Sequence, residues 1–251
     1  KGQQKSTFSN DAAGLSAYEG FILDGGKTGN ISLEGVVSAS NPNYSDGINF
    51  GNFATSVGGT ASYIRTVDGD ITLTGSASDA RTQSRGVLLA GGGAGLFIQS
   101  SGTGNISLLG TSGDTGEQYN ILLIGTNILA NSGDIDLLGG STGKIFNAIF
   151  DSTIGYKSGT DVENSTSNII VTGDDFDLSS GFNFNTAGTL AIQSFGDSFT
   201  DAFNTSQLSY ASDLTGLTIG KSTNTSNVTI GSSIDINGPI SIYGGNIRVN
   251  E

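Results

Sequence analysis

Apolar residues occupy alternate positions in short bursts along this chain, and the bursts recur as one motif. Gly29-Asn30-Ile31-Ser32-Leu33-Glu34-Gly35 returns as Gly69-Asp70-Ile71-Thr72-Leu73-Thr74-Gly75, as Gly104-Asn105-Ile106-Ser107-Leu108-Leu109-Gly110 and as Gly133-Asp134-Ile135-Asp136-Leu137-Leu138-Gly139, with a looser copy in Ser167-Asn168-Ile169-Ile170-Val171-Thr172-Gly173. The copies begin at 29, 69, 104, 133 and 167, so they lie 40, 35, 29 and 34 residues apart. In each, two apolar side chains sit two residues apart, the period of a strand with one buried face. The flanking Gly and Asn or Asp read as tight turns. Further apolar runs at 46–51, 61–65, 85–90, 96–99, 119–125 and 127–130 bring each repeat to about three strands, with no helical pattern between them.

Three strands per repeat, each meeting its counterpart one repeat later, predict an all-β fold: a parallel β-helix, or β-solenoid, right-handed by the crossover rule. Coils stacked about 4.8 Å apart would align the motif's Ile and Leu residues in ladders of like residues inside the tube. The variable repeat length reads as insertion at turns, for example 79–84 or 38–45. Residues 19–251 are expected to form one continuous solenoid, with 1–18 an irregular amino-terminal segment or the end of a coil. Phe195, Phe199 and Phe203 stand four residues apart and predict a short helical insertion within 195–214. The competing reading is a loop whose aromatics cover a coil edge.

Composition narrows the function. The chain has 251 residues, 40 of them Gly and only two Pro, which excludes collagen and a Pro-rich linker. A net charge of −13 opposes a phosphate backbone, so no nucleic-acid partner is expected. No stretch approaches the roughly 20 apolar residues of a membrane helix, and residues 1–20 lack the order of a signal peptide. Cys, Met, Trp and His are all absent, which removes disulfide, thiolate and imidazole chemistry. Such a composition fits a long bacterial exoprotein exported unfolded.

From residue 216 onward the short strands become strict: Gly216-Leu217-Thr218-Ile219-Gly220, Asn227-Val228-Thr229-Ile230-Gly231, Ile234-Asp235-Ile236-Asn237-Gly238 and the run from Pro239 to Asn250. Together with the motif over 29–173, they resemble bacterial filamentous haemagglutinin-type exoproteins and related autotransporter-like adhesins. The resemblance implies an extracellular or cell-surface location, a rod presenting binding regions to a receptor or glycan on a host or neighbouring cell, and no catalysis. The chain carries neither that family's secretion module nor a translocator barrel, so it reads as a segment of a longer protein. A solenoid end also exposes unpaired strand edges that invite end-to-end self-association into a filament.

Candidate chemistry is sparse. The clustered carboxylates are Asp174, Asp175 and Asp177. Their Asp-Asp pair resembles a fragment of the polygalacturonase set, but the accompanying Gly-His-Gly and Arg-x-Lys elements are missing, so solvated turn acids are the preferred reading over a polysaccharide-active enzyme. The same acids offer a weak calcium site, without the EF-hand or nonapeptide spacing. Gly91–Gly95 lacks the Lys-Ser/Thr of a phosphate loop and reads as a turn. Asn30, Asn43, Asn105, Asn164, Asn204, Asn224 and Asn227 each begin an Asn-x-Ser/Thr sequon. Thr72-Leu73-Thr74 supplies a single rung, too little for an ice-binding face. No residue is assigned a catalytic, cofactor-binding or metal-binding role.

Overall fold

The computed structural model describes residues 2–4, 11–18, 20–38, 42–51, 59–114, 117–147, 151–178 and 181–250. They form a parallel β-helix. Sheet A stacks Gly2–Gln4, Ile31–Val37, Ile71–Ser76, Ile106–Thr111, Ile135–Gly139, Ile169–Thr172, Thr189–Gln193, Gly216–Ile219 and Ile240–Ile242 in chain order. Sheet B stacks Asp11–Ala17, Tyr44–Gly51, Gln83–Ala90, Glu117–Ile124, Lys144–Asn147 and Asp175–Asp177. Sheet C stacks Ile22–Asp24, Ser62–Thr66, Leu96–Ser100, Thr126–Ala130, Ser152–Gly155, Phe182–Asn185 and Ser209–Tyr210. A short sheet D of Phe203–Asn204, Val228–Ile230 and Ile247–Val249 follows sheet A where sheet B did in earlier coils. The last two coils thus keep only sheets A and D among the described residues.

Every copy of the repeated motif lies in sheet A, in register. One inward ladder runs Ile31, Ile71, Ile106, Ile135, Ile169, Leu190, Leu217, Ile240. Its companion runs Leu33, Leu73, Leu108, Leu137, Val171, Ile192, Ile219, Ile242. From Ile71 and Leu73 to Leu217 and Ile219 these side chains are at most 1% exposed. Sheet C contributes Ile64, Ile98, Ile128, Ile154 and Phe184, and sheet B contributes Ile48, Val87, Ile121 and Ile145, to the same continuous core.

The motif's two glycines do more than turn the chain. Gly75 lies inside a strand, and a Cβ there would come within 2.0 Å of the Gly86 carbonyl oxygen; at Gly110 it would come within 1.9 Å of the Asn120 oxygen. Sheets A and B therefore cross at backbone-to-backbone contact, which only a residue without a side chain permits. The leading glycines stack on each other: a Cβ on Gly104 would meet the Gly69 oxygen at 1.9 Å, and one on Gly133 the Gly104 oxygen at 2.0 Å. Beside them runs a side-chain ladder. The Asn30 amide oxygen accepts the Asp70 N–H at 2.8 Å, Asp70 accepts the Asn105 N–H at 2.9 Å, and Asn105 accepts the Asp134 N–H at 2.8 Å. It continues from the Asn168 amide to Asp134 at 3.1 Å, and from the Thr189 hydroxyl to Asn168 at 2.8 Å.

Two expectations are corrected. Within 195–214 the described helical element is the single 3-10 turn Thr205–Gln207, capped by Asn204. Phe199 and Phe203 are each 3% exposed inside the core, where they stack on one another at 5.3 Å, while Phe195 is 46% exposed. The fourfold spacing records two inward residues of a coil and one outward residue, not one helix face. At the amino terminus, Gly2–Gln4 and Asp11–Ala17 are strands that pair with Ile31–Val37 and Tyr44–Gly51, which fits the coil-end reading of this segment; residues 1 and 5–10 lie outside the described residues. Ala12 packs on Val37, and Leu15 and Ala17 are partly buried against the main core. The largest length changes fall at other turns: Gly125 alone joins sheets B and C in one coil, whereas 52–61, of which 52–58 lie outside the described residues, links the same sheets two coils earlier, and 156–168 lies between sheets C and A. Residues 79–84 run into a strand of sheet B, as do 38–45, of which 39–41 lie outside the described residues.

Gly110→Ala is expected to destabilise the fold by at least about 2 kcal/mol in a urea titration, since backbone must move. Gly140→Ala, whose Cβ would meet nothing closer than 3.6 Å, is the control expected to stay within about 0.5 kcal/mol. A second outcome concerns pH. Asp136 sits on the outer face of sheet A between Ser107 and Ile170, and burial, then the neighbouring Asp134 charge, raises its carboxyl pKa. The folded chain holds that proton more tightly than the unfolded one, so ionised Asp136 weakens the fold above its raised pKa and the penalty fades at acid pH. Asp136→Asn should melt at higher temperature at neutral pH, and the advantage should vanish below the ordinary aspartate pKa of about 3.9.

Candidate functional site

The outer face of sheet B carries the most organised set of polar side chains. Its strands bend at Gly47, Gly86 and Asn120, positions that the ladder registers pass over. The bend has a chemical effect: Asp46 and Ile48, two residues apart, face opposite ways, with Ile48 in the core and Asp46 on the outside. Asp46, Arg85, Tyr119, Lys144 and Asp175 then stand in one register row across five coils.

The row is tied into a network. Arg85 donates through Nε and Nη2 to the two Asp46 oxygens, the second at 3.0 Å, and both side chains are under a tenth exposed. The Asn49 amide adds a bond to Asp46 at 2.6 Å, and the guanidinium lies 5.3 Å over the Tyr44 ring. Arg85 Nη1 donates to Gln83 at 3.2 Å, Gln83 donates to Glu117 at 2.7 Å, and the Tyr119 hydroxyl donates to Glu117 at 3.1 Å. Burial, then the Glu117 hydrogen bond and charge, raise the Tyr119 pKa, so this hydroxyl remains a donor well into alkaline solution. Lys144 and Asp175 approach to 3.6 Å. Two shallow grooves lie along the strip. One, of about 560 Å³, is walled by Tyr18, Tyr44, Asn49 and Gln83 over small residues of the first coil; the other, of about 440 Å³, is bordered by Glu117, Tyr119, Lys144, Asp175 and Asp177.

The acids singled out in the sequence divide between these settings. Asp174 lies at a coil corner, where its Oδ1 accepts the Gly196 N–H at 2.9 Å. Asp175 and Asp177 lie on the outer face of sheet B, on either side of Phe176, which packs edge-on against Phe199 and Phe203. The adjacent Asp174-Asp175 pair is thus split between a structural corner and an ion pair with Lys144, not aimed at one point. Among the described residues no three acidic groups converge as they would on a metal ion. Gly91–Gly95 forms the turn between sheets B and C, with Gly92 and Gly95 at positive φ. Asn30 and Asn105 are used in the corner ladder, and Asn224, 6% exposed, holds Phe199 N–H and the Tyr243 carbonyl; Asn164 is exposed.

Sequence reasoning did not pick out Tyr44, Asp46, Gln83, Arg85 or Tyr119. A signal existed in the parallel strings Ser45-Asp46-Gly47-Ile48 and Ser84-Arg85-Gly86-Val87, which set opposite charges at one motif position. No family model, no curated protein and no solved structure matches this chain. The energetic difference along the strip can be measured: Arg85→Ala leaves the Asp46 carboxylate buried without its cation and should cost about 3–5 kcal/mol in denaturant unfolding. Lys144→Ala breaks an ion pair whose side chains are 49% and 33% exposed, and should cost at most about 1 kcal/mol.

Proposed function

We propose that the chain is a non-catalytic structural and binding segment of a secreted or surface-attached bacterial adhesin, a stiff shaft that offers lateral surfaces to a receptor or glycan on a neighbouring cell. The observation that carries this reading is the unbroken register of sheet A over nine strands, which makes an extended, continuously bonded body. Its outer face presents broad, shallow grooves, the form suited to an elongated partner. The resemblance to filamentous haemagglutinin-type exoproteins supports the same reading and gives the extracellular location. Among the described residues no helix is long and apolar enough to cross a membrane.

A filament subunit is the second reading, favoured by the parallel, in-register ladders of sheets A and D, a pairing pattern that a further copy can continue. A polysaccharide-active enzyme is less well supported, because Asp174 and Asp175 are each engaged in a structural contact. Electron microscopy of the purified chain combined with a cell-adhesion assay separates the three. Discrete short rods that adhere to cells support the adhesin. Long filaments favour the second reading, and glycan cleavage abolished by Asp175→Asn would overturn the non-catalytic assignment.

A further inference from the structure

We infer that the groove over Tyr44 and Gln83 on the outer face of sheet B binds a neutral, linear oligosaccharide lying along the coil axis. This deepens the adhesin reading and rests on it.

The groove owes its shape to a gradient of side-chain size along two register rows. In one, Ala13 of the first coil is followed by Asp46 of the second and Arg85 of the third; in the other, Ser16 is followed by Asn49 and Leu88. Small residues beside larger ones leave a recess on the flank of the rod. Two aromatic rings border it, Tyr18 at 79% and Tyr44 at 37% exposed. Such rings supply flat apolar surface with a polar tip, the complement of a pyranose ring whose C–H bonds lie on its faces and whose hydroxyls lie on its edge.

The polar lining suits those hydroxyls. Asn49 and Gln83 present planar amides able to donate and accept at once, and adjacent sugar hydroxyls do the same. Both amides are already held, Asn49 by Asp46 at 2.6 Å and Gln83 by Glu117 at 2.7 Å, so little side-chain freedom remains to be lost on binding. Charge selects among glycans. Asp46 and Arg85 neutralise each other within the groove, and the chain as a whole carries −13, which repels uronate and sulfate polymers. Geometry selects a chain over a single ring: coils repeat about every 4.8 Å along the axis, close to the advance of one hexose unit, so successive sugars meet successive coils.

The test is titration calorimetry of the purified chain with short neutral gluco-, galacto- and manno-oligosaccharides, alongside uronate and sulfated glycans. Binding of a neutral oligosaccharide is expected, with Kd raised about tenfold or more by Tyr44→Ala and by Asn49→Ala and unchanged by Arg65→Ala on the outer face of sheet C. Melting curves establish that each variant is folded. Binding of charged glycans alone, binding untouched by Tyr44→Ala in folded protein, or no glycan binding at all would each overturn the proposal. Wild-type protein that adheres to cells while failing with neutral glycans removes this site and leaves the adhesin reading standing; protein that binds glycans yet adheres to no cell does the reverse.

Discussion

The backbone ladder between coils governs everything else in this molecule. Parallel strands bond at a fixed separation of about 4.8 Å, so each coil must reproduce the path of the one beneath it closely enough to keep its N–H and C=O groups paired. That demand turns ordinary sequence features into columns. Ile and Leu form columns because a like residue packs on a like residue at constant spacing. Glycine recurs at the crossing of sheets A and B because the carbonyls of Gly86 and Asn120 occupy the space of a side chain at Gly75 and Gly110. The corner Asn and Asp residues recur because Asn30, Asp70 and Asn105 each accept a backbone N–H one coil above, while Asp134 accepts the Asn168 side-chain amide. No buried side-chain nitrogen or oxygen among the described residues lacks a hydrogen-bond partner.

Sheet A was readable because its strands keep strict alternation and its motif carries both the core residues and the corner residues. Sheet B was readable only as apolar runs. Its bend at Gly47 and Gly86 breaks the period of two, so the outward position of Asp46 and Arg85 does not follow from counting along the chain. The glycines illustrate the same limit: Gly35 and Gly75 look like turn residues in sequence, yet lie inside strands, and their reason is a neighbour distant in the chain. Phe199 and Phe203 imitate a helix because a short inward arc of a coil and a helical stripe both place apolar residues four apart. The face that carries the proposed binding groove was the least visible, since it is assembled from single residues contributed by successive coils.

That assembly explains how a solenoid acquires specificity without disturbing its core. Inward positions are constrained on both sides by neighbouring coils, whereas outward positions meet their neighbours only along the row. The row on sheet B places Arg85 next to Asp46, and Lys144 next to Asp175, so opposite charges meet across coil boundaries. Sheet C solves the same problem with rings, stacking Tyr63 on Phe97 at 5.1 Å and laying cations over them from Arg65 and Lys157. Each face is therefore an independent surface on one scaffold.

The corner ladder shows how strongly this geometry selects charge. Its order is Asn30, Asp70, Asn105, Asp134, Asn168, a regular alternation of neutral and acidic residues at positions where either would accept the same hydrogen bond. Two carboxylates on adjacent coils would be held a few ångströms apart by the backbone itself, with no freedom to separate; unit charges at about 4 Å repel by roughly 1 kcal/mol even in bulk water and by more at a protein surface. Asparagine between aspartates keeps the acceptor and removes that repulsion. In a chain with a net charge of −13, the spacing of Asp70 and Asp134 in this ladder is thus set by the same backbone pairing that aligns the core.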